Sequence, residues 1–138
     1  MGRGLSELQQ DIILMAYKNK EAGLVSYQTS DERHTFSVVS AHVKREQILR
    51  ERFGWEPADR FWMRRFSRKD IGEERYNRVM ASLSRSLHRL EQRGLVELTH
   101  SMRAGAWSGA ELTEEGEAEA GRILERREGR SRGPTRIP

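Results

Sequence analysis

Between Arg75 and Leu90 the chain runs for 16 residues without an acid, although 33% of its residues are charged. Within that run Val79, Leu83, Leu87 and Leu90 recur at three- and four-residue spacings. At 100° per residue they share an arc about 80° wide, which predicts a helix over 76–93 with one core side. Tyr76 lies on that side, and Ser86 points there too, where its hydroxyl can bond back to the helix carbonyls. The opposite face carries Arg78, Ala81, Arg85, His88 and Gln92, edged by Asn77 and Ser84 on one side and Ser82 and Arg89 on the other. A generic solvated helix intersperses glutamates among its arginines. This one does not.

Such a face has the chemistry of a groove reader. Arginine can bond a guanine bidentately, asparagine an adenine, and serine either a base or a phosphate. Ala81 contributes by being small, since a long side chain there would hold the helix off. The net charge of +4 is weak evidence by itself; its distribution says more. Residues 44–93 carry 14 basic and 8 acidic groups, whereas residues 94–125 carry 2 and 7. Residues 1–43 carry 4 and 5, and residues 126–138 carry 5 and 1. Positive charge is concentrated where the candidate helix lies, as phosphate contact requires. Of the 25 basic residues 21 are arginine, so a base-composition bias would explain their abundance, but not their clustering.

Other chemistries find little support. The chain has no cysteine, which removes disulfides, zinc–thiolate sites and thiol catalysis. His34, His42 and His100 show no metal-ligand spacing, and His88 reads as a solvated surface residue, so no metal or other cofactor is expected. There is no phosphate-binding glycine loop, dinucleotide fingerprint, zinc-protease helix or nucleophile elbow, and no enzyme is expected. Glu114 and Glu115 are explained by a helix start, Glu73 and Glu74 by a solvated turn. No apolar run approaches the roughly 20 residues of a membrane span. The run Ile12–Met15 is too short for a signal segment. The expectation is a cytoplasmic protein without a membrane partner.

Along the chain, Ser6, Glu7, Leu8 and Gln9 form a capping box, with Leu5 as a staple, opening a helix over 7–19. Residues 24–35 have no clear period and read as a loop or weak extended segment. A second helix is expected over 38–53, with Val39, Val43, Ile48, Leu49 and Phe53 inward, ended by Gly54 and Pro57. Phe61, Trp62 and Phe66 lie among Arg60, Arg64 and Arg65. Stacking on unpaired bases is one reading of that cluster, and core packing with arginines directed outward is the favoured one. Ser67 caps a short helix over 68–73, and Gly94 ends the long helix in a left-handed cap. A strand over 96–100, a loop over 101–109 and a short return strand over 110–112 follow. Thr113 then caps a last helix over 114–126.

The residues Leu83, Leu87, Arg89-Leu90-Glu91-Gln92-Arg93-Gly94-Leu95-Val96 and then Leu112-Thr113-Glu114-Glu115-Gly116 resemble a known pattern. It is that of bacterial and archaeal winged helix-turn-helix transcription regulators of the MarR and PadR type. The resemblance covers about residues 66–126. It implies a mainly α fold with a small β-wing, in which the leucines seat a recognition helix and the glycine turns the chain into the wing. It also implies that Ser82, Ser84, Arg85 and His88 face the major groove of double-stranded DNA, with Arg103 at the wing tip. Arg103 is the only cation between Gly94 and Gly121. Trp107 is expected to pack the base of the wing.

Three segments are expected: an N-terminal helical segment over 1–65, a winged helix over 66–127, and a disordered basic tail over 128–138. The apolar side of the first helix serves either a homodimer, as two-fold half-site recognition would use, or a monomeric core. The favoured function is sequence-specific DNA binding in transcription regulation. The candidate contacts are Asn77, Arg78, Ala81, Ser82, Ser84, Arg85, His88, Arg89 and Arg103. A winged helix serving protein–protein contact, and a nucleoid- or RNA-associated backbone binder, remain open at this point.

Overall fold

The computed structural model describes residues 4–29, 35–56, 66–100 and 107–132. Helix α1 (Glu7–Glu21) starts at the expected capping box. The Gln9 amide donates to Ser6 Oγ at 3.1 Å, and the Ser6 amide donates to Gln9 Oε1 at 3.0 Å. Two amides that a helix start leaves unpaired are thereby satisfied. Ile12, Ile13, Leu14 and Ala16 are all buried, so α1 runs through the core rather than along its surface.

Strands β1 (Val25–Thr29) and β2 (Thr35–Val39) pair antiparallel as a separate two-stranded ribbon, with Val25 opposite Val39. Strand β3 (His42–Lys44) leads directly into helix α2 (Arg45–Phe53), which ends at Gly54 with φ 70°. Helices α3 (Arg68–Ile71) and α4 (Glu73–Gln92) are followed by strands β4 (Val96–His100) and β5 (Trp107–Leu112) and helix α5 (Glu114–Arg132). The second sheet has the order β3-β5-β4, antiparallel throughout. Val43 pairs with Ala110 and Val96 with Leu112, and all four are buried, while Lys44 and Glu97 point to solvent. This is the period-two alternation of a half-buried sheet. Gly109 is required in it, because a Cβ there would strike the Val43 carbonyl.

One apolar cluster joins every layer. It takes Ile12 and Ile13 from α1, Val43 from β3, Ile48 and Leu49 from α2, Leu83, Leu87 and Leu90 from α4, and Ile123 from α5. Each such side chain contributes about 1.5–3 kcal/mol by leaving water. Beside the cluster, Trp55 stacks on Tyr76 at 5.4 Å and meets Phe66 edge-on at 5.7 Å. That contact anchors the start of α4 to the end of α2.

Three expectations need correction. The segment over 1–65 is not simply helical: it holds three strands, and its α1 and β3 belong to the same core as residues 66–127. Of the two readings for residues 24–35, a loop or a weak extended segment, β1 takes the extended one over Val25–Thr29. The expected helix over 38–53 is split, since Val38 and Val39 finish β2 and Val43 sits in β3. Their β-branching favours a pleated surface, and β3 gains a partner in β5 that no local pattern announces. The segment expected to be a disordered tail over 128–138 is helical over its first five residues, because α5 continues to Arg132. Gly129 costs about 1 kcal/mol in a helix interior, too little to end a helix already anchored by Ala120 and Ile123. Residues 133–138 lie outside the described residues, as do Phe61 and Trp62.

Candidate nucleic-acid interface

Helix α4 is 20 residues long and spans about 30 Å. Glu73 and Glu74 occupy its first turn, where the helix dipole favours acids. Gly94, with φ 77°, turns the chain out of it. Leu83, Leu87 and Leu90 are each 0% exposed, which sets the rotation of the helix and therefore which residues face outward. Asn77, Arg78, Ala81, Arg85, His88 and Arg89 are exposed, and Ser82 and Ser84 are half-buried at the edges. All eight candidate residues on α4 thus lie off the core side. Arg103 and the Trp107 side chain fall outside the described residues.

Four arginines of this helix differ from five on the other helices. Arg52 and Arg127 both reach Asp11, at 2.8 and 3.0 Å. Arg122 and Arg126 both reach Glu119, and Arg50 reaches Glu46. Arg75, Arg78, Arg85 and Arg89 are exposed, and none meets a carboxylate among the described residues. Four guanidinium groups are therefore left with their full donor capacity on one helix. Arg75 was not singled out from the sequence. It opens the acid-free run, and that position was the available signal.

His88 Nδ1 lies 2.9 Å from the Ser84 carbonyl. A carbonyl only accepts, so Nδ1 carries the proton and donates, leaving Nε2 as the free edge of the ring. The contact is local to the helix. Among the described residues no three His, Asp or Glu side chains gather where a metal could bind.

A groove of about 850 Å³ runs along one flank of α4. Ser82, Arg85, Ser86, Arg89, Gln92 and Arg93 form one wall, and Gly4, Ser6, Leu8 and Gln9 form the other. Ser86, expected on the core side, lines this groove instead: it lies at the margin of the leucine arc, where α1 leaves space. The meeting of α4 with the first turn of α1 is a tertiary fact, and nothing in either segment alone signals it.

On the other side, β4 and β5 form an antiparallel hairpin with an irregularity between Thr99 and His100. The ordinary lysine charge at Lys20, far along α1, is reinforced by Glu117, whose carboxylate accepts its hydrogen bond and raises its pKa. No family model, curated protein or solved structure matches this chain. Among the described residues no helix is long and apolar enough to cross a membrane.

Proposed function

We propose that this chain is a sequence-specific double-stranded DNA-binding protein that regulates transcription, with α4 as its major-groove reader. The observation that carries the reading is the set of four exposed arginines on α4 without acidic partners among the described residues, in a protein whose other helical arginines are so often paired. A surface kept for solubility gains from internal ion pairing. A surface kept for phosphate and guanine gains from leaving its donors open.

The order of elements supports a winged-helix arrangement of the MarR and PadR type. A long outward helix is followed by a two-stranded hairpin and then by a closing helix, and β3 braces the hairpin as a third strand. In this reading Asn77, Arg78, Arg85 and His88 address bases, Ala81 lets the helix approach, and Ser82, Ser84, Arg89 and Arg75 hold phosphates. Arg103 is assigned to the wing tip by resemblance.

Selection from a pool of randomised duplexes tests the proposal. Enrichment of a defined sequence by the wild-type chain is expected, and its loss with Arg85→Ala. Uniform retention of all sequences would point to a backbone binder. No retention would leave a protein-contact role for the same basic face.

A further inference from the structure

The groove beside α4 does not stop at the end of that helix. A second cavity of about 480 Å³ shares Gly4 and Arg93 with it and continues past Leu95 and Gln10 to Arg126 of α5. The two make one trough. Its stretch from Ser82 to Arg93 alone covers about 16 Å of helix rise. Gly4, Ser6, Arg85, Arg89 and Arg93 along it are all exposed, so it is open to solvent. A compact ligand is held in a cavity that buries most of its surface, whereas a long open trough suits a strand.

The chemistry of the trough is one-sided. Between α4 and the first turn of α1, every ionisable residue that lines it is an arginine. Ser82, Ser86, Gln92 and Ser6 add neutral hydrogen-bonding groups. Glu7, in the same turn as Ser6, is not among the lining residues, and Glu119 farther along is held by Arg122 and Arg126. The capping box already occupies the Ser6 and Gln9 amides. What α1 brings is therefore the wall itself and the Ser6 hydroxyl, whose oxygen accepts from Gln9 while its proton remains to be donated.

We propose, resting on α4 as the major-groove reader, that the sugar–phosphate backbone of one DNA strand lies in this trough and makes the first turn of α1 a second contact to the duplex. The major groove is about 12 Å wide and a helix with its side chains about 10–12 Å across, so a helix inside it has a backbone against each flank. On this flank the backbone meets an arginine-lined trough. Ser82 and Arg89 hold phosphates from one wall, Ser6 from the other, and Ser86 and Gln92 lie between them. Phosphate contacts fix position and carry no sequence information. The first turn of α1 thus sets how α4 sits on the duplex without changing what α4 reads.

Duplex binding by Ser6→Asp and Ser6→Asn, followed by fluorescence anisotropy at several salt concentrations, tests this. Aspartate and asparagine both cap a helix as well as serine, so both variants should melt close to wild type. Only aspartate puts a negative charge in the trough. At about 0.1 M salt Ser6→Asp should bind roughly fivefold or more weakly than Ser6→Asn, with a salt slope shallower by about one and the same preferred sequence. Lys18→Gln makes the same change in net charge at the other end of α1, about 18 Å away along the helix and beyond the Debye length of about 10 Å. It should bind as wild type does. Equal affinities for the two Ser6 variants, or a loss in Lys18→Gln as large as in Ser6→Asp, would overturn the trough and leave α4 as the reader. A wild-type chain that binds no duplex would overturn both.

Discussion

Thr113 donates its hydroxyl to the main-chain carbonyl of Gly94 at 2.6 Å. The same oxygen accepts the Gly116 amide at 3.0 Å, and the Thr113 amide donates to the Leu95 carbonyl at 3.0 Å. One residue thus ties the exit of α4 to the entrance of α5, across the hairpin that separates them. The two sequence patterns that suggested a winged helix, Arg-Gly-Leu-Val and Leu-Thr-Glu-Glu-Gly, meet at this point.

Thr113→Val keeps the shape and removes the donor and the cap. It should destabilise the chain by about 1–3 kcal/mol, measured by urea denaturation. Gly116→Val should cost more, because a Cβ there collides with the Leu95 carbonyl. Near-neutral outcomes for both would mean that this junction does not hold α4 in place.

Asp11 is the second clamp, since it bridges Arg52 of α2 and Arg127 of α5 from its place on α1. Its side chain is only 21% exposed, so the pairing is less screened than at an open surface. Asp11→Ala should lower stability by about 1–2 kcal/mol, between the values for exposed and buried pairs. Because both arginines lose the same partner, Arg52→Ala and Arg127→Ala should each add little to Asp11→Ala. Full additivity in a double-mutant cycle would refute the shared clamp.

How far the sequence was legible follows from whether each signal was local. Ser6 with Gln9, Ser67 with Asp70, and the positive φ of Gly54 and Gly94 are local devices, and they were readable. So was the leucine side of α4, because helical periodicity reports burial directly. The β3–β5 pairing joins Val43 to Ala110 across the chain, and no local pattern distinguishes Val43 from a residue of the helix that follows it. Trp55, which stacks on Tyr76, was passed over because a lone aromatic after a helix has no periodic context. The outward face of α4 was legible by elimination, since core leucines fix what must face away. The groove against the start of α1 was not, for it depends on how two distant segments pack.

Ala81→Trp should separate groove entry from mere surface charge. Ala81 is exposed, so folding should survive and the melting temperature should stay close to that of wild type. Duplex affinity should fall by about tenfold or more, because a bulky side chain holds the helix off the base edges. Unchanged affinity would place the contact elsewhere than on this face of α4.

Lys20 donates to Glu117 at 2.6 Å, and its pKa is raised by that bond and by the carboxylate's charge. A raised folded pKa means that the stabilisation is complete below the unfolded value of about 10.4 and is lost as pH rises through the folded one. The difference in melting temperature between wild type and Lys20→Met should therefore be constant across neutral pH and close as pH rises into the strongly alkaline range. A difference that closes on acidification down to pH 6 would contradict the assignment.

The most direct test of the central claim is fluorescence anisotropy of the purified chain against a mixed-sequence duplex, titrated at several salt concentrations. With Arg75 and Arg89 free to meet phosphate, log affinity should fall linearly with log salt at a slope of about −2 or steeper. Arg89→Ala should make that slope shallower by about one. Absence of binding even at about 50 mM salt, where phosphate contacts are strong, would contradict the DNA reading outright.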